Sequence, residues 1–140
     1  MKRAIGLLVA AVLAATVPAA AQTAPDANSS GVQRGVMQLN QSGQTGYLTL
    51  YERPGDKTLL VTKMEGVPAG RVQALTIHRG QDCSSVDPKA VARGADLKDG
   101  RSSGTVAISQ QRLLSGNYDV IIFSSISPAS KPVACVHLAQ

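Results

Sequence analysis

Short β-forming runs alternate with turn residues along most of this chain, and that alternation limits its fold more than any other feature. From Gly31 onward, runs rich in Val, Ile, Leu, Thr and Tyr are separated by Gln41-Ser42-Gly43, Pro54-Gly55-Asp56, Gly66-Val67-Pro68-Ala69-Gly70, Ser115-Gly116-Asn117 and Ser127-Pro128-Ala129. The expected strands are Val32 to Leu39, Gly46 to Glu52, Thr58 to Met64, Val72 to His78, Gly104 to Ser109, Tyr118 to Ser124 and Val133 to Leu138. There is no internal repeat and no heptad. One long connection, Arg79 to Ser103, interrupts the series, with room for a helical turn over Pro88 to Ala95 that Gly94 and Gly100 would limit. About seven to eight short antiparallel strands with one long connection suggest an all-β Greek-key sandwich or flattened barrel spanning 31–140. Alternation within Val72 to His78 puts Leu75 and Ile77 on one face and Ala74, Thr76 and His78 on the other.

The beginning of the chain speaks to its compartment. Met1-Lys2-Arg3, the apolar run Ala4 to Val17, Pro18 and Ala19-Ala20-Ala21 follow the order of a cleavable secretory signal over 1–21. That apolar run is shorter than the ~20 residues a spanning helix needs, so no transmembrane segment is expected. No cysteine follows the small residues, so a lipid anchor is not indicated. The expected product is a periplasmic or secreted protein of about 119 residues, enough for one modest core. Its first residues, 22–30, are small and polar and read as a flexible lead-in. Asn28-Ser29-Ser30 matches a glycosylation triplet, too short a match in such a segment to weigh.

Removing Lys2 and Arg3 lowers the formal charge from +5 to +3. The other basic residues are scattered and there is no Trp and one Phe, so the basic face and stacking aromatics of a nucleic-acid binder are missing. Tyr47 and Tyr51 share one strand face, read as core or sheet surface. No serine lies in a Gly-x-Ser-x-Gly elbow and neither histidine has a partner for nucleophilic catalysis. In an exported chain, Cys83 and Cys135 most simply form one disulfide; a thiolate metal site would need further ligands that the spacing does not offer. Closing a loop of about 50 residues this way is worth roughly 4 kcal/mol in the chain-entropy model. Period 2 places Cys135 and His137 on one strand face, with Val136 and Leu138 opposite.

The run from Ala69 to Cys83, a Gly-rich turn leading into Leu75-Thr76-Ile77-His78 and then Cys83, resembles the Cu/Zn superoxide dismutase pattern, in which such a strand ends His-x-His and a cysteine follows. Val133-Ala134-Cys135-Val136 looks like the family's second disulfide cysteine in its closing strand, and Gly94-Ala95-Asp96-Leu97 and Asp99-Gly100 are similar to its turns. In strand order the resemblance covers nearly all of the chain after the signal. It implies a Greek-key sandwich of that type, a Cys83–Cys135 disulfide, and two copies that can pair as a homodimer.

The departures from the family fall on its chemistry. Copper there needs several imidazoles to stabilise both oxidation states. Here Thr76 stands for the first histidine of the pair, only His78 is kept, and Phe123 takes the expected place of the histidine in Tyr118 to Ser124. Ser84 to Ser103, where zinc ligands are expected, has no histidine, and Asp87, Asp96 and Asp99 read as turn and cap residues. The family's superoxide-guiding arginine aligns near Pro132, with Lys131 the nearest cation. No metal cofactor and no superoxide dismutase activity are therefore expected. The reading is a non-catalytic binding or structural module of the cell envelope, with a former metal face of Thr76, His78 and Phe123 and an unidentified protein or small-molecule partner. The alternative is a residual copper or zinc protein using His78 and His137. The first reading expects an apolar or mixed patch around Phe123; the second expects the two histidines near a common point.

Overall fold

The computed structural model of the protein describes residues 30–139. The expected signal segment, 1–21, and all but the last residue of the expected lead-in, 22–30, lie outside the described residues. Strands β1 (Val32–Gln38), β2 (Thr45–Arg53) and β3 (Lys57–Glu65) form consecutive antiparallel hairpins. The β2–β3 ladder is unbroken from Thr45↔Glu65 to Arg53↔Lys57 and turns through Pro54-Gly55-Asp56, where Gly55 and Asp56 have φ of 80° and 56°. Glycine supplies the first of these left-handed positions without a Cβ clash, and aspartate tolerates the second. Leu48, Leu50, Thr58, Leu60 and Met64 alternate inward along this hairpin, as period 2 requires. Tyr47 faces solvent and Tyr51 is half-buried, the sheet-surface option.

The expected strand Val72 to His78 is divided at Ala74 into β4 (Val72–Gln73) and β5 (Leu75–Gln81). The chain changes partners there. Gln73 pairs with Leu97, whereas Leu75 pairs with Ile122 and Ala74 itself bonds Phe123 and Ser125. The connection expected from Arg79 to Ser103 is mostly strand: β6 (Ser85–Arg93), β7 (Leu97–Lys98) and the start of β8 (Arg101–Val106). No helical turn forms at Pro88 to Ala95. β6 is an edge strand, mostly exposed and out of register with β5 at two points, so it lacks the apolar alternation by which a strand is recognised. Pro88, which has no N–H to donate, is tolerated at such an edge.

After β8 comes α1 (Gln110–Ser115), a short helix that strand periodicity did not anticipate. The Ser109 hydroxyl caps it by accepting from the Arg112 N–H, and Leu113 is its buried anchor. Then follow β9 (Tyr118–Phe123) and β10 (Pro132–His137). The strand order is β4-β7-β8-β3-β2-β1-β10-β9-β5-β6, one antiparallel ten-stranded sheet curled into a half-barrel. Its concave side holds a single cluster in which Leu48, Leu50 and Leu60 meet Leu75, Ile77, Val120, Ile122 and Val136.

Candidate functional site

Three neighbouring strands, β5, β9 and β10, carry the candidate site on their convex face. Register fixes who stands beside whom: His78, Asp119 and His137 form one row, and Thr76, Ile121 and Cys135 the next. Phe123 continues this face beside Pro132. The opposite face of β9, with Val120 and Ile122, packs into the core. All the residues singled out from the sequence thus come to one side of one part of the sheet, with Cys83 lying over it.

β9 is buried on both faces. Asp119 and Ile121 point away from the core, yet are 0% and 5% exposed. What covers Asp119 is the tip of the β5–β6 hairpin. There Ser84 N–H donates to the Gln81 carbonyl at 3.1 Å, and the two central residues, Asp82 and Cys83, both have positive φ, 49° and 65°. Cys83 pays a backbone cost of about 1–2 kcal/mol in that region, which the surrounding bonds offset. It is bonded to Cys135 with a Cα–Cα distance of 6.1 Å, and its N–H donates to Asp119 Oδ2 at 3.2 Å. Gly80 lets this happen, because any Cβ there would run into the Asp119 carboxylate.

Asp119 has a second partner. His137 Nδ1 lies 2.6 Å from Asp119 Oδ1, a contact that requires the proton on Nδ1 and its donation to the carboxylate. The Asp82 N–H sits 3.1 Å from the same nitrogen, which has no lone pair left to accept it, so the carboxylate contact fixes the ring. The turn also organises Asp82 itself. Hydrogen bonds from the Ser84 hydroxyl, first, and the Ser84 N–H hold its carboxyl below the usual aspartate value, and His137 adds a smaller contribution.

His78 is buried, at 6% accessibility. The register shifts between β5 and β6 bring the Asp87 carbonyl to the ring, and His78 Nδ1–H donates to it at 2.8 Å. Nε2 then accepts from the Thr76 hydroxyl at 2.7 Å. Both ring nitrogens are occupied by the protein. His137 stands two strands away, about 10 Å at normal strand spacing, with Asp119 between them. The two histidines therefore share a row without converging on a point.

A copper or zinc centre of the dismutase type does not fit these residues. Thr76 and Phe123 offer no imidazole, His78 has no lone pair to spare, and the segment from Ser84 to Ser103 holds no histidine. Beside Thr76, His78 and Phe123 there is an open groove of about 500 Å³, walled by Leu39, Val86, Pro88, Ile121, Phe123 and Pro132. His78, Cys83 and Asp87 border it. A second depression of about 450 Å³ between β1, β2 and β3 is lined by Tyr47, Lys63 and Glu65 and gathers no comparable set of groups.

Asp119 is the residue that reasoning from sequence missed. Its signal was present: a lone carboxylate inside Tyr-Asp-Val-Ile-Ile-Phe, an otherwise apolar strand. A charged group in such a run is either on a solvent face or paired. Comparison with protein-family models, curated proteins and solved structures finds no match for this chain.

Proposed function

We propose that this chain is an exported, non-catalytic member of the superoxide dismutase-like sandwiches, a binding module of the cell envelope whose lost metal face has become an apolar ligand groove. The observation that carries this reading is the groove around Phe123, set beside a His78 whose two nitrogens are both spent on Thr76 and Asp87. About 500 Å³ falls within the usual range of small-ligand sites, roughly 300–1,000 Å³, which are mostly apolar with a few polar groups at the border. The ligand is accordingly apolar and small, or an apolar side-chain cluster of a partner protein.

The Greek-key assignment draws support from β10 returning beside β1 after the β1–β2–β3 hairpins. The Cys83–Cys135 bond suits an oxidising compartment, and among the described residues no helix is long and apolar enough to cross a membrane. The copper- or zinc-protein reading has one observation in its favour, the carboxylate that orients His137 as second partners orient metal-bound imidazoles. A single histidine of that kind is not a redox-cycling set.

The test uses an apolar fluorescent probe, anilinonaphthalene sulfonate, on the oxidised protein. The native protein should bind it, and Phe123→Ser, checked for intact fold by circular dichroism, should weaken binding about tenfold, as loss of one buried aromatic contact predicts. Absence of binding, or binding indifferent to Phe123, would overturn the groove assignment.

A further inference from the structure

The groove reading leaves one costly feature unused. A disulfide needs no charged neighbour, yet a fully buried carboxylate, Asp119, is held against this one. The sulfurs of Cys83 and Cys135 and a carboxylate oxygen of Asp119 all lie within 4.8 Å of one another. Cys135 and Asp119 are 0% exposed, and Cys83, at the hairpin tip, is partly open to solvent. Burying an unpaired ion costs several kcal/mol, and among the described residues the ionisable group that donates a proton to this carboxylate is His137.

We propose that the disulfide site is a redox-gated zinc site: reduction turns Cys83, Cys135 and Asp119 into a three-ligand set for Zn²⁺, with water in the fourth position. Two thiolates and a carboxylate are a recognised ligand chemistry for tetrahedral zinc, and three protein ligands leave one open position. A dithiol reductant supplies the two electrons. The sulfur–sulfur bond breaks, each sulfur takes up one proton, and the reductant closes to its own disulfide. Zn²⁺ then displaces both thiol protons to solvent, and its two positive charges compensate a pocket that would otherwise gather three anionic groups. His137 Nδ1–H and the Cys83 N–H act as positioning groups: each holds one carboxylate oxygen, and a carboxylate retains lone pairs for a metal while accepting both. In the oxidised protein the sulfurs are bonded to each other and the set does not exist. The site shares Cys83 with the rim of the groove but depends on neither Phe123 nor His78, so it stands or falls apart from the binding reading.

The experiment compares oxidised and phosphine-reduced protein by calorimetric titration with Zn²⁺ and by absorption with Co²⁺ as a spectroscopic stand-in. The reduced protein should take one Zn²⁺ per chain, and Co²⁺ should give thiolate charge-transfer and tetrahedral bands; the oxidised protein should show neither. Asp119→Asn should weaken zinc binding by the reduced protein about tenfold or more, an effect that two thiols in an unfolded chain would not show. If reduction alone unfolds the chain, Zn²⁺ should restore its β-sheet circular dichroism. Equal affinity in both redox states, Co²⁺ bands without thiolate character, indifference to Asp119→Asn, or unfolding that Zn²⁺ does not reverse would each overturn the proposal.

Discussion

Two neighbouring parts of the curled sheet, β3–β2–β1 and β10–β9–β5, are built on different rules. In β1–β2–β3, side chains alternate between core and solvent, hairpins follow one another directly, and the outer face carries Tyr47 and Lys63 with nothing over it among the described residues. In β10–β9–β5 the inner face looks much the same, but the tip of the β5–β6 hairpin, stapled by Cys83–Cys135, lies over part of the outer face. One covering element is enough to bury Asp119 and Ile121 and to leave a groove at its border. The burial of Asp119 and Ile121 depends on that second layer, and removing it should turn the second region into a copy of the first.

The largest effect should come from the staple. Replacing both cysteines by serine is expected to cost about 4 kcal/mol, read as a lower urea midpoint, because a loop with a sequence separation of 52 is no longer closed in the unfolded chain. Asp119→Ala follows at about 3 kcal/mol, since it strips His137 of its acceptor and leaves the Cys83 N–H unpaired beneath the hairpin. Lys63→Ala on the uncovered region should stay within about 0.5 kcal/mol. A similar cost at Lys63 and Asp119 would erase the distinction between the two regions. His78→Ala should cost about 2 kcal/mol by orphaning the Asp87 carbonyl, without altering any response to metal in the oxidised state. The smallest effect is at Asp82. Its folded-state pKa is depressed, so the unfolded chain binds the proton more readily; the stabilisation is full above the ordinary aspartate value of 3.8 and fades as pH falls through the lower folded value. Asp82→Asn should therefore lower stability slightly near neutral pH, where this contribution is full, and flatten the acid limb of the stability profile, the two proteins converging at the lowest pH.

The uncovered region was legible in the sequence almost residue by residue, because each strand there has one wet face and alternation reports it directly. Leu48 and Leu50, and Leu60 and Met64, sit where period 2 puts them. The outward direction of Thr76 and His78 and the shared face of Cys135 and His137 were legible for the same reason. The covering layer was not. β6 carries Pro88, two register shifts and few apolar side chains, so the segment reads as loop although it is strand. Burial of His78 and Asp119 follows from that layer, through a carbonyl and an N–H that no side-chain pattern encodes. The absence of histidine from Ser84 to Ser103 needed no structure to be seen, whereas the engagement of both His78 ring nitrogens, by Thr76 and by the Asp87 carbonyl, could not be read from the sequence.

The decisive measurement is calorimetric titration of the oxidised protein with Cu²⁺ and Zn²⁺, followed by a superoxide-dismutation assay on the titrated sample. With Thr76 and Asp87 holding both nitrogens of His78, neither metal should bind stoichiometrically, and superoxide should disappear no faster than in buffer carrying the same free metal. Tight binding of one ion per chain, abolished by His78→Ala and accompanied by turnover, would contradict the proposed non-catalytic reading and favour the copper- or zinc-protein alternative.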